Sequence, residues 1–287
     1  MPNVKDLRRR IRSVENTGKV TNAMSLVAAS KMRRAQQAVT QGRPFAEKII
    51  DVIAHLAAQP ADDSGQTHPL LQVRTVQRVG IVVVSPDRGL CGGMHANLNR
   101  QGDQFIREQE APVRVIAVGR KGRDFMVRSG QDVQAVFSDL GERPELADTT
   151  AISQMVNDAY AEGNVDEVHL AFTRFESTVV QRPEVIKLLP VTPAELTGAE
   201  RVGYIYEPDN LTVLESLLPR FVEMEIYHSV LESIASEQSA RMVAMRNATD
   251  NANELMEDLT LVMNKLRQDS ITNELLDLVG GQIALEG

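Results

Sequence analysis

The feature that most limits what this chain can fold into is a run of sixty residues, Arg220 to Val279, without a single glycine or proline. The two residues that most often interrupt helices are absent from it. Apolar or small residues fall at 221, 224, 231, 234, 242, 245, 252, 255, 259, 262 and 266, and such spacing predicts helix throughout. One continuous helix of that length would extend roughly 90 Å, whereas a globule of this size has a radius of gyration of about 19 Å. The helix must lie against something elongated, and only the N-terminal segment is of comparable length. From Lys5 to about Leu56, Leu7, Ile11, Val14, Thr21, Met24, Val27, Met32, Ala35 and Val39 recur at spacings of three and four. Gly18, Gly42 and Pro44 weaken that pattern locally, and a bend is expected near residue 43.

Charge supports pairing of the two segments. The net charge is −8, yet residues 1–34 carry +7 and residues 241–287 carry −4. A basic head and an acidic tail attract, so the helices are expected to pair antiparallel as a coiled coil. Low aromatic content (4%), no tryptophan and 11 methionines fit slender helices. The C-terminal helix is the longer one, so its last turns should protrude. They are still apolar at Leu259, Val262, Met263, Leu266, Ile271, Leu275, Leu276 and Val279, and a solitary helix of that kind requires an external sleeve. Nucleic acid is disfavoured as a partner for the basic head, because no aromatic residues interleave its arginines and the whole chain is acidic.

Between about Val73 and Thr197 the period changes. After the linker-like "AQPADDSGQTHP" (58–69), β-branched runs at 79–85, 113–118, 133–137 and 168–173 alternate with helical stretches at 94–110, 121–128 and 147–161. Strands alternating with helices predict a mostly parallel, right-handed wound sheet. The closely spaced "HLAFTRFE" and "TVVQRPEVIKLLP" predict a hairpin at its edge. The expected division is 1–57 N-terminal coiled-coil helix, 58–75 linker, 76–197 Rossmann-like α/β domain, 198–210 connector and 211–287 C-terminal coiled-coil helix.

The one place for chemistry is "VVVSPDRGLCGGMHANLN" (82–99), a strand, a glycine turn and a helix start around the only cysteine. A thiol nucleophile needs a base and an orienting group. His95 could serve as the base only if the segment were already helical, and no third partner is evident. Cys91 and His95 together fall short of a zinc ligand set. The glycines spell neither GxxxxGK[ST] nor GxGxxG. A structural turn is the simpler reading, and neither cofactor nor metal is expected. No apolar run approaches the roughly 20 residues of a membrane span. No apolar leader is present at the start, and one cysteine permits no internal disulfide. A soluble, intracellular chain is expected.

Four stretches carry a resemblance: "IRSVENTGKVTNAMSLVAASKMRRAQ" (11–36), "DRGLCGG" (87–93), "YIYEPD" (204–209) and "SEQSARMVAMRNATDNANELMEDLTLVMNKLRQDSITNELLDLVGG" (236–281). With them the chain resembles, over essentially its whole length, the γ-subunit family of F-type ATP synthases. The resemblance implies a left-handed antiparallel coiled coil of the terminal helices with a Rossmann-like domain at its base. It implies a rotor shaft inside a ring of three α and three β subunits, standing on the membrane c ring with the ε subunit beside it. Proton flow would turn the shaft, and catalysis would belong to the surrounding subunits. By motif, Met24 would face an acidic loop of β, with Lys31, Arg33 and Arg34 as a basic patch nearby. Arg241, Gln268 and Thr272 would make coupling contacts, and Tyr204 and Glu207 would face ε and the c ring. Photosynthetic members can carry an extra segment with a cysteine pair, which one cysteine excludes here. Without a presequence, a bacterial source on the cytoplasmic side of the inner membrane is the expectation. The rival readings are a free-standing coiled-coil scaffold, which would bury the apolar tip by self-association, and a nucleotide-binding enzyme or hydrolase.

Overall fold

The computed structural model describes residues 3–57, 68–191 and 210–286. In chain order these form α1 (Val4–Ala57), a single 3-10 turn (Pro69–Leu71), β1 (Val79–Val84), α2 (Met94–Glu108), β2 (Val113–Val118), α3 (Arg120–Arg128), β3 (Asp132–Phe137), α4 (Leu146–Ala161), β4 (Glu167–Phe175), β5 (Gln181–Leu189) and α5 (Asn210–Glu286). The chain divides into two compact units, residues 28–241 and residues 1–27 with 242–287.

The larger unit holds a five-stranded sheet in the order β3-β2-β1-β4-β5. β1 pairs in parallel with both β2 and β4, β2 pairs in parallel with β3, and β5 returns antiparallel to β4 as the expected edge hairpin. All six residues of β1 are buried, because a central parallel strand is covered on both faces. Val79, Ile81 and Val83 face Leu98 and Ile106 of α2 and Met126 of α3. Val82 and Val84 face a larger core with Ile152, Val156 and Tyr160 of α4. Ile49 and Ile53 of α1 and Leu218, Val222, Ile226 and Val230 of α5 complete that core.

The smaller unit is an antiparallel helix pair. Ser25 donates to the Met242 carbonyl at 3.3 Å, and Thr21 Oγ1 lies 2.7 Å from Thr249 Oγ1. A Cβ placed on Gly18 would lie 3.5 Å from Ala252 Cβ. Positions rise on α1 as they fall on α5, which is the expected direction. The covered positions of α1 here include 7, 11, 14, 18, 21 and 25, with 4 and 24 beside them, and those of α5 include 245, 249, 252, 256, 259, 263 and 266, flanked by 248, 260 and 264. Along these stripes steps of four and three alternate, a repeat of 3.5 residues, which is the period of a left-handed coiled coil.

Two details depart from the sequence reading. Val27, Leu255 and Val262 were placed on the apolar stripe but are 52%, 41% and 47% exposed; Ala28, Met256 and Met263 take their places. Side-chain apolarity misled where the strict heptad chose a smaller or more flexible neighbour. α1 continues as helix through Gly42 and Pro44, so the bend expected near 43 does not interrupt it. α5 begins at Asn210, one residue before the expected 211, and passes through Pro219, because packing of Leu214, Leu218 and Val222 outweighs one lost backbone bond.

Candidate functional site

In a doubly wound sheet the place for a ligand is the crevice beyond the carboxyl ends of the strands, where the winding changes direction. Here that crevice lies past β1, between β2 and β4. Residues of the chain itself close it. Ser85 Oγ donates to the Val118 carbonyl at 3.1 Å and accepts from the Gly122 amide at 2.6 Å. Asp87 accepts from the Arg120 amide at 2.9 Å and from the Asp139 amide at 3.0 Å, so one carboxylate braces the ends of β1, β2 and β3. Gly119 has φ +93°, and a Cβ there would come within 1.9 Å of the Ser85 carbonyl oxygen; only glycine fits. A cavity of about 50 Å³ remains, lined among others by Ser85, Asp87, Gly119, Ser233 and Glu237. Small-molecule sites occupy roughly 300 Å³ or more.

Cys91 is fully buried in the glycine turn. α2 begins early enough to bring His95 Nδ1 to 3.6 Å from its sulfur, so the alignment questioned at the level of sequence does exist. Its electrostatics oppose reactivity. Burial, and then the nearby Glu237 carboxylate, push the thiol up, with Arg241 a weaker opposing influence. Burial, and then Lys121, push His95 down. A nucleophilic cysteine needs the reverse of both. Among the described residues no group of three or more His, Cys, Asp or Glu could hold a metal.

The residues proposed for coupling divide between the two units. Met24, half-buried, and the exposed Gln268 and Thr272 belong to the helix pair. Lys31, Arg33, Arg34 and Arg241 belong to the larger unit. Lys31 pairs with Glu142. Arg33 is exposed, and Arg34 is exposed and donates to the Ser30 carbonyl at 3.3 Å. Arg241 is largely buried, with Nη2 donating to the Gly89 carbonyl at 3.0 Å and to Glu237 Oε1 at 2.6 Å. Among the described residues no hydrogen bond or ion pair joins any two of these seven. Tyr204 and Glu207 lie outside the described residues. In the helix pair the seam closes at Leu266, and every residue from Arg267 to Gly280 is exposed, with Leu275, Leu276, Leu278 and Val279 at 57%, 63%, 71% and 56%.

Sequence reasoning missed Glu232, Ser233, Ser236 and Ser239, all buried in α5. The signal was present, since "ESIASEQS" sets polar residues at helical spacing inside an otherwise apolar stretch.

A family model described as ATP synthase matches residues 3–285. The chain is 56% identical over 286 residues to the ATP synthase gamma chain of Dehalococcoides mccartyi (strain CBDB1), covering 99% of this chain and 100% of that one. It is 48% identical to the ATP synthase gamma chain of Herpetosiphon aurantiacus, covering 99% of each. Its fold is similar to that of a chain in the cryo-EM structure of the Euglena gracilis mitochondrial ATP synthase (OSCP/F1/c-ring, rotational state 3). There the TM-score is 0.68 at 19% identity, covering 98% of this chain and 94% of that one.

Proposed function

This chain belongs to the ATP synthase gamma-chain family, and on that premise we propose how it works as the central-stalk rotor subunit of an F-type ATP synthase. The chain couples proton flow through the membrane c ring to ATP synthesis or hydrolysis in three α and three β subunits around its shaft, with ε beside its base. The exposed apolar stretch of α5 beyond Leu266 carries this reading. A bare helix with four exposed large apolar residues within five positions requires a surrounding surface, and a ring of partner subunits supplies one. Sleeve contacts that are mostly apolar also let a shaft turn, whereas buried ion pairs would have to be broken at each step.

The chain itself holds no catalytic group. A small cavity at the strand ends, a buried thiol pushed up and a histidine pushed down favour that reading. Among the described residues no helix is long and apolar enough to cross a membrane, and attachment runs through the c ring, on the cytoplasmic side of the inner membrane. Arg33 and Arg34 remain available for an acidic loop of β, Met24 lies on the helix that meets it, and Gln268 and Thr272 make coupling contacts near the tip. Tyr204 and Glu207 serve the base. The division into 1–57, 58–75, 76–197, 198–210 and 211–287 stands as the functional layout.

Co-purification of the tagged chain from its host membranes tests the assignment. Recovery with α, β and ε, ATPase activity and one copy per three β is the expected result; a chain that emerges alone or self-associated sinks it. Deleting residues 270–287 is expected to impair assembly or torque while leaving the fold intact. Arg33→Glu with Arg34→Glu is expected to weaken coupling, and ATP synthesis at the wild-type rate would remove those residues from the coupling surface.

A further inference from the structure

Three backbone groups near the end of β4 have partners that no strand supplies. β1 accompanies β4 only as far as the pairing of Val83 with Ala171, while β4 runs on to Phe175. On its other side Thr173 stands opposite Pro183, which has no N–H to donate. The amide and carbonyl of Thr173 are instead taken by α5. The Thr173 amide donates to Ser233 Oγ at 3.3 Å, and the Thr173 carbonyl accepts from the Ser236 hydroxyl at 3.0 Å. The Phe175 amide donates to Glu232 Oε2 at 2.8 Å. Farther along, the Ser239 hydroxyl donates to the Thr178 carbonyl at 2.8 Å. The helix stands where the next stretch of β1 would have been, in the crevice that holds the ligand in other doubly wound folds.

Buried hydroxyls and a buried carboxylate are unfavourable in a helix interior unless each has a partner. Here each bonds a backbone group, the Thr173 and Phe175 groups having no strand partner, while the Thr178 carbonyl also accepts from Gln181 Nε2 at 3.2 Å. Apolar packing of Val222, Ile226 and Val230 already holds α5 against the sheet. That packing is non-directional, so alone it resists separation better than rolling or sliding. Hydrogen bonds weaken steeply as their angles change, and a row of them fixes the rotation of the helix about its own axis.

We propose that Glu232, Ser233, Ser236 and Ser239 form a fastening that carries torque between the α/β domain and α5. They are positioning residues for coupling and take no ligand. The proposal rests on the rotor reading above. The test uses the whole membrane-bound complex carrying Ser233→Ala with Ser236→Ala, measuring ATP hydrolysis and ATP-driven proton pumping per assembled complex. Hydrolysis should stay within about twofold while protons pumped per ATP fall about fourfold, the weight of two hydrogen bonds at about twofold each. Ser233→Thr with Ser236→Thr keeps both hydroxyls and should restore the ratio. An unchanged ratio in the double alanine variant overturns the fastening, and so does a threonine pair that pumps no better than the alanines. If the double variant assembles poorly, Ser236→Ala alone should lower the ratio about twofold, and no change there overturns it equally. The wild-type complex separates the two readings. A wild type that does not pump sinks the rotor assignment, whereas a wild type and variants that pump alike sink only the fastening.

Discussion

The α/β unit and the helix pair bury their residues in different ways, although one chain builds both. In the sheet, Val79, Val82, Val83, Leu170 and Leu189 retain no exposure, because neighbours stand on every side. Among the described residues of the helix pair only Leu7, Gly18, Ser25 and Met245 are buried, and the other seam positions stay half-exposed. Two cylinders touch along a line, so a two-helix seam excludes water from one stripe and no more. Fold stability is therefore concentrated in the sheet. The seam sets register and direction, with small residues (Gly18, Thr21, Ser25 and Ala252) at its middle and large apolar ones such as Leu7, Ile11, Leu259 and Leu266 toward its end.

The largest expected effect follows from Gly119. Alanine there needs a positive φ and a Cβ within 1.9 Å of a backbone oxygen, so Gly119→Ala should destabilise the α/β unit by about 3 kcal/mol or more. Chemical denaturation of the purified chain measures it. A loss below about 1 kcal/mol would mean that the β2–α3 turn yields and is not the rigid brace described. Next comes a matched pair. Leu170→Ala, fully buried in the sheet, should cost about 3 kcal/mol, whereas Leu259→Ala, half-exposed in the seam, should cost about 1 kcal/mol. Equal losses at the two sites would erase the distinction between the units.

Most of this architecture was legible in the sequence, for a physical reason in each case. The strand starts at Val79 and Val113 were visible because β-branched residues gather where a sheet is covered on both faces. α5 was visible because sixty residues contain no helix breaker. The seam was legible in its period but not at every position. Ser25 and Ala28 carry little hydropathy, so Val27 drew attention away from them. The fastening was the least legible part. Whether Ser236 is solvated or buried against a strand depends on where β1 stops, and that is a tertiary fact. Arg241 was singled out for partners, yet its guanidinium is held within its own unit by Gly89 and Glu237, and only the fold could show this. The reactivity of Cys91 likewise turned on burial and on Glu237, more than a hundred positions away in sequence.

A smaller effect separates the units by pH. Burial pushes the Glu225 carboxyl above the ordinary carboxylate range, with Arg174 pulling weakly the other way. The folded chain then holds that proton more tightly than the unfolded chain does. The group's contribution to stability is greatest at low pH and falls as pH rises from the ordinary carboxylate value through the raised one. Glu225→Gln should stabilise the α/β unit at neutral pH, with the gain vanishing below the ordinary carboxylate value. Denaturation midpoints across pH measure this. A gain that persists unchanged in acid would assign the effect to packing and not to charge.

The smallest effect sharpens the comparison most, because it applies the substitution made at Gly119 to the other unit. A Cβ on Gly18 would meet Ala252 Cβ at 3.5 Å, an ordinary van der Waals distance, and no positive φ is required there. Alanine is favoured over glycine in a helix interior by up to about 1 kcal/mol. Gly18→Ala should therefore stabilise the helix pair by about 0.5 kcal/mol, part of the helical gain being offset by crowding at the seam. Thermal melting followed by circular dichroism, with the Gly119→Ala chain alongside, gives both signs in one experiment. A Gly18→Ala chain that melts lower would show that the seam is closed tightly enough for packing to outweigh propensity. Small residues on the stripe would then be a requirement of close approach, and the helix pair would share the sheet's intolerance of added volume.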